Sequence, residues 1–241
     1  MKSTFVLAAT ALLLWSAAPA QAQRKGKAAA SAPTEMTVAA RRLQPLFGGL
    51  TPAQAEQLLG APYLTSLAGS FASRTKASRF FSTKGYEYLS ESQPDTAAYR
   101  FNLAWVLDPK NPDAYRGLGI VASRNPTPDE AISLLTQGMA LAPTNSYLLS
   151  DLGTSYLIRY EQGKKKKDLT TGIELLEKAT TQDGTNAVAW QQLGRGYYYQ
   201  EKYEQAWGTI HKAQSTDMSA IDFSLVSDLL ARLPDPQGKF K

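Results

Sequence analysis

The sequence contains no cysteine and a single histidine, His211. The first absence excludes disulfides, thiolate metal sites, thiol nucleophiles and any lipid anchor attached at a cysteine, so an exported form of this chain rests on packing alone. The second leaves little for metal or acid–base chemistry. One imidazole without cysteine holds a zinc only if several carboxylates converge on it, and no such spacing occurs. His211 falls near the end of a helical pattern, followed by Lys212. A general base or ligand is one reading, and a helix-end surface residue is the expected one. A Gly-rich phosphate loop and a serine nucleophile elbow are also missing. The chain is therefore expected to be no enzyme, with no catalytic residue, no cofactor and no metal.

Long apolar runs are scarce as well. One stands at the front: Lys2, an apolar stretch from Phe5 to about Ala18, then "APAQA" ending in Ala20-Gln21-Ala22. Small residues two apart after a short apolar core predict a signal peptide over 1–22, cleaved before Gln23. The alternative, a retained anchor, needs about 20 apolar residues. Export follows as the expectation, to the periplasm or out of the cell. Residues 23–45 open with "QRKGKAAASAPTE" and are expected to form a flexible basic leader. Lys and Arg total 26 against 21 Asp and Glu, giving a net charge of +5 and a pI near 9.2. Behind an export signal this favours contact with phospholipid headgroups, cell-wall polymers or acidic proteins, and nucleic acid is not expected.

What the sequence does have is a period. Gly85, Gly119 and Gly153 stand 34 apart, and Gly194 follows 41 later. Ala97 and Ala131 are 34 apart, Gly172 follows after 41 and Ala206 after 34 more. Pro109, Pro143, Gly184 and Met218 keep the same offsets. Three tracks thus share one period and place seven extra residues between Gly153 and Gly172, where "RYEQGKKKKDL" stands. Each unit reads as two helices. In the last, Trp190, Leu193, Gly194 and Tyr197 form one stripe, and Ala206, Ile210 and Ala213 the facing one. Glycine inside a helix costs about 1 kcal/mol relative to alanine, so its recurrence requires a packing reason, and close helix approach supplies it.

These residues resemble the tetratricopeptide repeat, with a large residue, Leu-Gly and Tyr on its first helix and Ala, Phe and a closing Pro on its second. Trp190, Leu193, Gly194 and Tyr197 match in full. Phe81, Gly85, Tyr88, Ala97, Phe101, Ala104 and Pro109 match with Lys84 in place of Leu. Tyr115, Leu118, Gly119, Ala131, Leu135 and Pro143 match with Ala122 in place of Tyr. Leu149, Leu152, Gly153 and Tyr156 match the third unit, completed by Gly172, Leu176 and Ala179. The resemblance implies an all-α, TPR-type solenoid of about four helical hairpins: 78–111, 112–145, 146–186 with an inserted Lys-rich loop at 160–169, and 187–219. A stack cannot leave its ends bare. Leu58, Leu59, Leu64, Leu67 and Phe71 suggest N-terminal cover helices over 46–77. Ile221, Leu225, Leu229 and Val226, Leu230, Leu233 suggest a capping helix over 220–234, before a tail at 235–241.

Turn chemistry agrees with these boundaries. "DPKNPDAY" from Asp108 reads as the joint where one unit closes at Pro109 and the next opens near Pro112. "TPDE" from Thr127 predicts a capping box with Pro at the first helical position. "TPAQ" from Thr51 repeats the device, with Gly60 closing that helix.

Relatives of this kind receive an extended peptide or a partner helix in a concave groove lined by first helices. Carried over by helical phase, the resemblance implies a groove of Ser82, Tyr86, Arg116, Ile120, Ser150, Thr154, Gln191, Arg195 and Tyr198. Two arginines there suit an acidic group or a C-terminal carboxylate. The Lys/Asn carboxylate clamp of chaperone-docking relatives is absent, and a hydrated wall without a tight ligand is the alternative. The run Lys164, Lys165, Lys166, Lys167 reads as a solvated loop or as contact with an anionic lipid or acidic partner, each lysine adding about 1 kcal/mol near a charged surface. In "GYYYQ", Tyr197 is expected in the core, with Tyr198 and Tyr199 exposed. The expected role is a protein–protein interaction scaffold of the cell envelope. The alternative is a structural or membrane-surface scaffold that self-assembles or uses the lysine run.

Overall fold

The computed structural model describes residues 36–241; the expected signal peptide and the first part of the leader lie outside the described residues. Four short segments come first: helix α1 (Val38–Leu43), a single turn α2 (Leu46–Gly49) with positive φ at all four residues, and helices α3 (Pro52–Leu59) and α4 (Ala61–Gly69). Four hairpins follow in chain order. They are α5 (Arg74–Ser90) with α6 (Pro94–Leu107), α7 (Pro112–Ala122) with α8 (Asp129–Leu141), α9 (Ser146–Gly163) with α10 (Lys166–Gln182), and α11 (Ala187–Tyr199) with α12 (Tyr203–Thr216). A short 3-10 turn, Met218–Ala220, leads to α13 (Phe223–Leu230). The described residues contain no strand.

The recurring small residues are where helices touch. Ala97, Ala131 and Ala206 are fully buried. A Cβ on Gly85 would stand 2.5 Å from the Phe101 ring, and one on Gly117 only 2.1 Å from it. The Phe101 ring is thus seated between two glycines, one in its own hairpin and one in the next. In the third unit both facing positions are glycine. A Cβ on Gly153 would meet the Gly172 carbonyl oxygen at 2.9 Å, and one on Gly172 the Gly153 carbonyl at 3.0 Å. There α9 and α10 meet backbone to backbone, which any side chain would prevent.

The joints between units are held by polar groups, as burial demands of any backbone end. At the first joint the Asp108 carboxylate accepts the Lys110 N–H (3.0 Å), and the Asn111 side chain accepts the Asp113 N–H (3.0 Å), capping α7. The same Asn111 amide donates to Ser78 Oγ (2.8 Å) and Ser82 Oγ (3.0 Å), and Ser78 donates to the Ala104 carbonyl (2.7 Å). The device returns at the third joint. Asn186 caps α11 and donates to Ser146 Oγ (2.8 Å), which donates to the Ala179 carbonyl (2.9 Å). One asparagine therefore starts a helix and ties it to both helices of the preceding unit.

Several details differ from the sequence-based expectation. The seven extra residues lengthen α9 and α10 to 18 and 17 residues, so the expected loop 160–169 shrinks to Lys164 and Lys165. Nothing in "EQGKKKKDL" forbids helix, and a helix satisfies its own backbone groups where a loop would not. Arg159 fixes the added turn, reaching Asp129 (2.9 Å) on one side and Asp168 (2.8 Å) on the other. The capping box expected at Thr127 does not form. Helix α8 starts at Asp129 without a side-chain cap, because Asn125 donates to the Glu130 carboxylate (2.8 Å) that the box would need. The box at Thr51 is present, closed by Gly60 at φ 86°.

The described end of the expected leader and the tail both pack against the repeats. Helix α1 lies inside the leader, capped by Thr37. The buried Asn102 donates to the Arg42 (3.0 Å) and Gln44 (2.8 Å) carbonyls and so docks this segment on α6. Arg74 donates to the Val106 (3.0 Å) and Leu107 (3.2 Å) carbonyls and pairs with Glu56. With the cover on α6, every residue from Phe101 to Leu107 is buried. At the other end the cap is an eight-residue helix, α13, with Leu225, Val226 and Leu229 buried. The segment after it folds back, burying Phe240 against Trp207.

Candidate functional site

First helices α5, α7, α9 and α11 form the wall on which the nine groove residues were expected. Six of them are partly exposed there: Tyr86, Arg116, Ile120, Thr154, Arg195 and Tyr198. Ser82, Ser150 and Gln191 are each only 2% exposed. Helical phase alone aims them inward, yet stacking closes adjacent first helices over them. Ser82 belongs to the Asn111 joint, while Ser150 Oγ and both amide atoms of Gln191 have no hydrogen-bond partner.

The centre of the wall is Arg116. Its guanidinium lies 5.3 Å from the Tyr86 ring and 5.0 Å from the Tyr147 ring, and its Nε donates to Asp151 Oδ2 at 2.6 Å. Burial raises the Asp151 carboxyl above its ordinary range, and the Arg116 charge opposes that rise without cancelling it. Burial likewise pushes the Tyr86 phenol up, and its O–H donates to the Asp113 carbonyl (3.2 Å). Further along, Arg195 pairs with Asp222, just before α13. Both arginines expected to attract a carboxylate therefore already hold one. The expected preference for an acidic or C-terminal group has no free guanidinium charge behind it.

The four lysines are all exposed. Lys164 ends α9 in the left-handed region (φ 52°), with its ammonium 5.4 Å from the Tyr160 ring and 5.9 Å from the Tyr199 ring. Lys166 and Lys167 lie in the first turn of α10, where positive charge opposes the helix dipole and Asp168 offsets it. Lys165 and Lys167 line a cavity of about 560 Å³ with Asp129, Arg159 and Asp168. Tyr197 is no better buried than Tyr198 or Tyr199. Partial burial and then the Glu177 carboxylate, which accepts its O–H at 2.8 Å, push its phenol up to about 12.

His211 is no surface residue. It is 5% exposed, with its ring 5.7 Å from Trp207 and 6.1 Å from Phe240 in stacked geometry. Its Nε2 stands 2.9 Å from Asp235 Oδ1. The Asp235 carboxylate also accepts the Gln237 (2.9 Å), Lys239 (2.8 Å) and Phe240 (2.9 Å) N–H groups, closing the tail onto α12.

Sequence reasoning missed Tyr147 and Val188, which are 51% and 50% exposed. They stand 41 apart, the offset of the glycine track, so one more track would have found them. Asp151, one unit and one residue after Arg116, was open to the same search. Asp222 lies outside the repeat, and no period points to it.

No family model and no curated protein sequence matches the chain. Solved structures do. TTC0263, a thermophilic TPR protein from Thermus thermophilus, superposes with a TM-score of 0.57 at 18% identity, over 64% of this chain and 81% of its own. Pseudomonas aeruginosa PilF gives 0.55 at 22% identity, over 68% and 74%. The Cut9–Hcn1 hetero-tetramer of the APC/C gives 0.51 at 17% identity, over 80% of this chain and 39% of that one. At such identities the likeness is one of fold, and it agrees with the hairpins, the glycine contacts and the period: the chain has the tetratricopeptide-repeat fold.

Proposed function

We propose that this chain is a non-enzymatic interaction scaffold that receives an extended peptide or partner helix along the wall of α5, α7, α9 and α11. The observation that carries the reading is the central wall itself, where Tyr147 stands half exposed beside an Arg116 locked between two rings. Rigid aromatic and arginine anchors of this type dominate protein interfaces, because they add contact area at small entropic cost. The signal-peptide pattern of residues 1–22 supports a place in the cell envelope, in the periplasm or outside the cell. The test is a photo-crosslinking side chain in place of Tyr147, expressed in the native cell. Adducts should form there and not from Ser133, exposed on the second helix α8. Adducts from Ser133 alone would refute the reading.

The exposed lysines support a second reading, a membrane-surface scaffold, in which Lys164 to Lys167 contact anionic headgroups. It requires that replacing all four by serine abolish binding to phosphatidylglycerol vesicles. Retained binding refutes it.

A further inference from the structure

On the inner wall, between α7 and α9, lies a cavity of about 220 Å³ lined by Gly119, Ile120, Ser123, Leu135, Asp151, Thr154, Ser155 and Ile158. It exists because neighbouring first helices differ in length. Helix α7 stops at Ala122, while α9, lengthened in the third unit, runs on to Gly163. The last turns of α9 therefore have no α7 beside them, and the inner side of Ile158 is left without a partner. Small residues at Gly119, Ser123 and Ser155 keep the space open, and the buried Leu135 of α8 forms its floor.

The electrostatics of the rim are equally specific. Asp151 lines the socket and is bound by Arg116, so a donor and an acceptor lie side by side with no net charge. Thr154 turns its hydroxyl into the helix, donating to the Ser150 carbonyl (2.8 Å). A free carboxylate or ammonium would find no uncompensated opposite charge here. The N–H and C=O of a main chain would find one acceptor and one donor.

We infer that this socket takes a branched aliphatic side chain from an extended, uncharged peptide segment, whose main chain runs past the Arg116–Asp151 pair. The inference rests on the scaffold reading and names the chemistry of its partner. A cavity of this size holds one side chain of the Leu or Ile class, and filling it removes Ile120 and Ile158 from water.

The absence of cysteine makes the test direct. Ser123→Cys places the chain's only thiol at the mouth of the socket. It is challenged with disulfide-forming caps carrying isobutyl, benzyl, carboxylate or ammonium groups, under thiol competition and read by intact mass. The isobutyl cap should be captured about tenfold or more over either charged cap, the partition that burying one branched side chain provides. Ser215→Cys, exposed on α12, should show no preference. Adding Ile158→Asp to Ser123→Cys should remove the preference while the melting temperature is kept. Equal capture of all caps at Ser123, a preference equal to that at Ser215, or a preference for a charged cap overturns the inference. The scaffold reading fails separately: flat capture with Tyr147 adducts overturns the socket alone, and isobutyl preference without adducts overturns the scaffold alone.

Discussion

Consider replacing Gly153 by alanine, the smallest change that tests the closest helix approach. In an exposed helix this substitution stabilises by about 1 kcal/mol, through propensity alone. Here the new Cβ would stand 2.8 Å from Leu176 Cγ, 2.9 Å from the Gly172 carbonyl oxygen and 3.3 Å from Leu175 Cβ. Two of these contacts are at or next to backbone, so no rotamer change relieves them and α9 must move away from α10. Overpacking of this kind costs about 1–3 kcal/mol. The propensity gain offsets about 1 kcal/mol of that, leaving a net loss of up to about 2 kcal/mol. The matched control is Gly208→Ala, inside α12, exposed and with nothing within 4 Å of the added carbon. That variant should gain up to about 1 kcal/mol. For a chain of this size the melting temperature moves about 2–4 °C per kcal/mol. Circular dichroism melts should thus show Gly153→Ala lower by up to roughly 8 °C and Gly208→Ala higher by up to roughly 4 °C. Adding Gly172→Ala to Gly153→Ala should cost less than the sum, since one displacement relieves both contacts. A Gly153→Ala variant that melts with Gly208→Ala or above it refutes the close-approach reasoning.

Other perturbations reach the joints, the tail and the wall. Asn111→Ala removes a helix cap and leaves the Ser78 and Ser82 hydroxyls without their donor, so urea unfolding should report a loss of about 1–3 kcal/mol. A loss below that of the exposed cap variant Thr37→Ala would contradict the joint's role. Burial alone would raise the Asp235 carboxyl, but the Phe240 and Gln237 N–H groups and His211 outweigh it and hold it below the ordinary range. A depressed carboxyl stabilises above its unfolded pKa and loses that contribution as pH falls through the folded value. Protection of the Phe240 amide from hydrogen exchange should therefore be constant from neutral pH down to the ordinary carboxylate range and collapse below it. In Asp235→Asn the protection should be low throughout, and a pH-independent parent refutes the account. Arg116→Gln should leave the partly buried Asp151 without its cation and lower stability by about 1–3 kcal/mol, whereas Arg116→Gln with Asp151→Asn should recover much of it. No recovery would mean that the pair is not coupled.

The sequence by itself determined the hairpins, their order and their closest contacts. The 34-residue spacing of Gly85, Gly119 and Gly153 records a packing event that recurs at one place in each unit, and a local, repeated event leaves a period. The same spacing located the seven-residue insertion, though not its form. Whether "EQGKKKKDL" loops or coils depends on Asp129 and Asp168 being near enough for Arg159 to hold the added turn. Tertiary structure decided which charges are free, although the period also brings Asp151 within reach of Arg116. Arg116 and Arg195 read as exposed cations by phase, but Asp151 and Asp222 neutralise them, and Asp222 reaches Arg195 from outside the repeat. The docking of α1 on Asn102 and the burial of His211 under Phe240 have the same origin. Each joins a repeated element to a segment that occurs once, and a contact made once leaves no periodic trace.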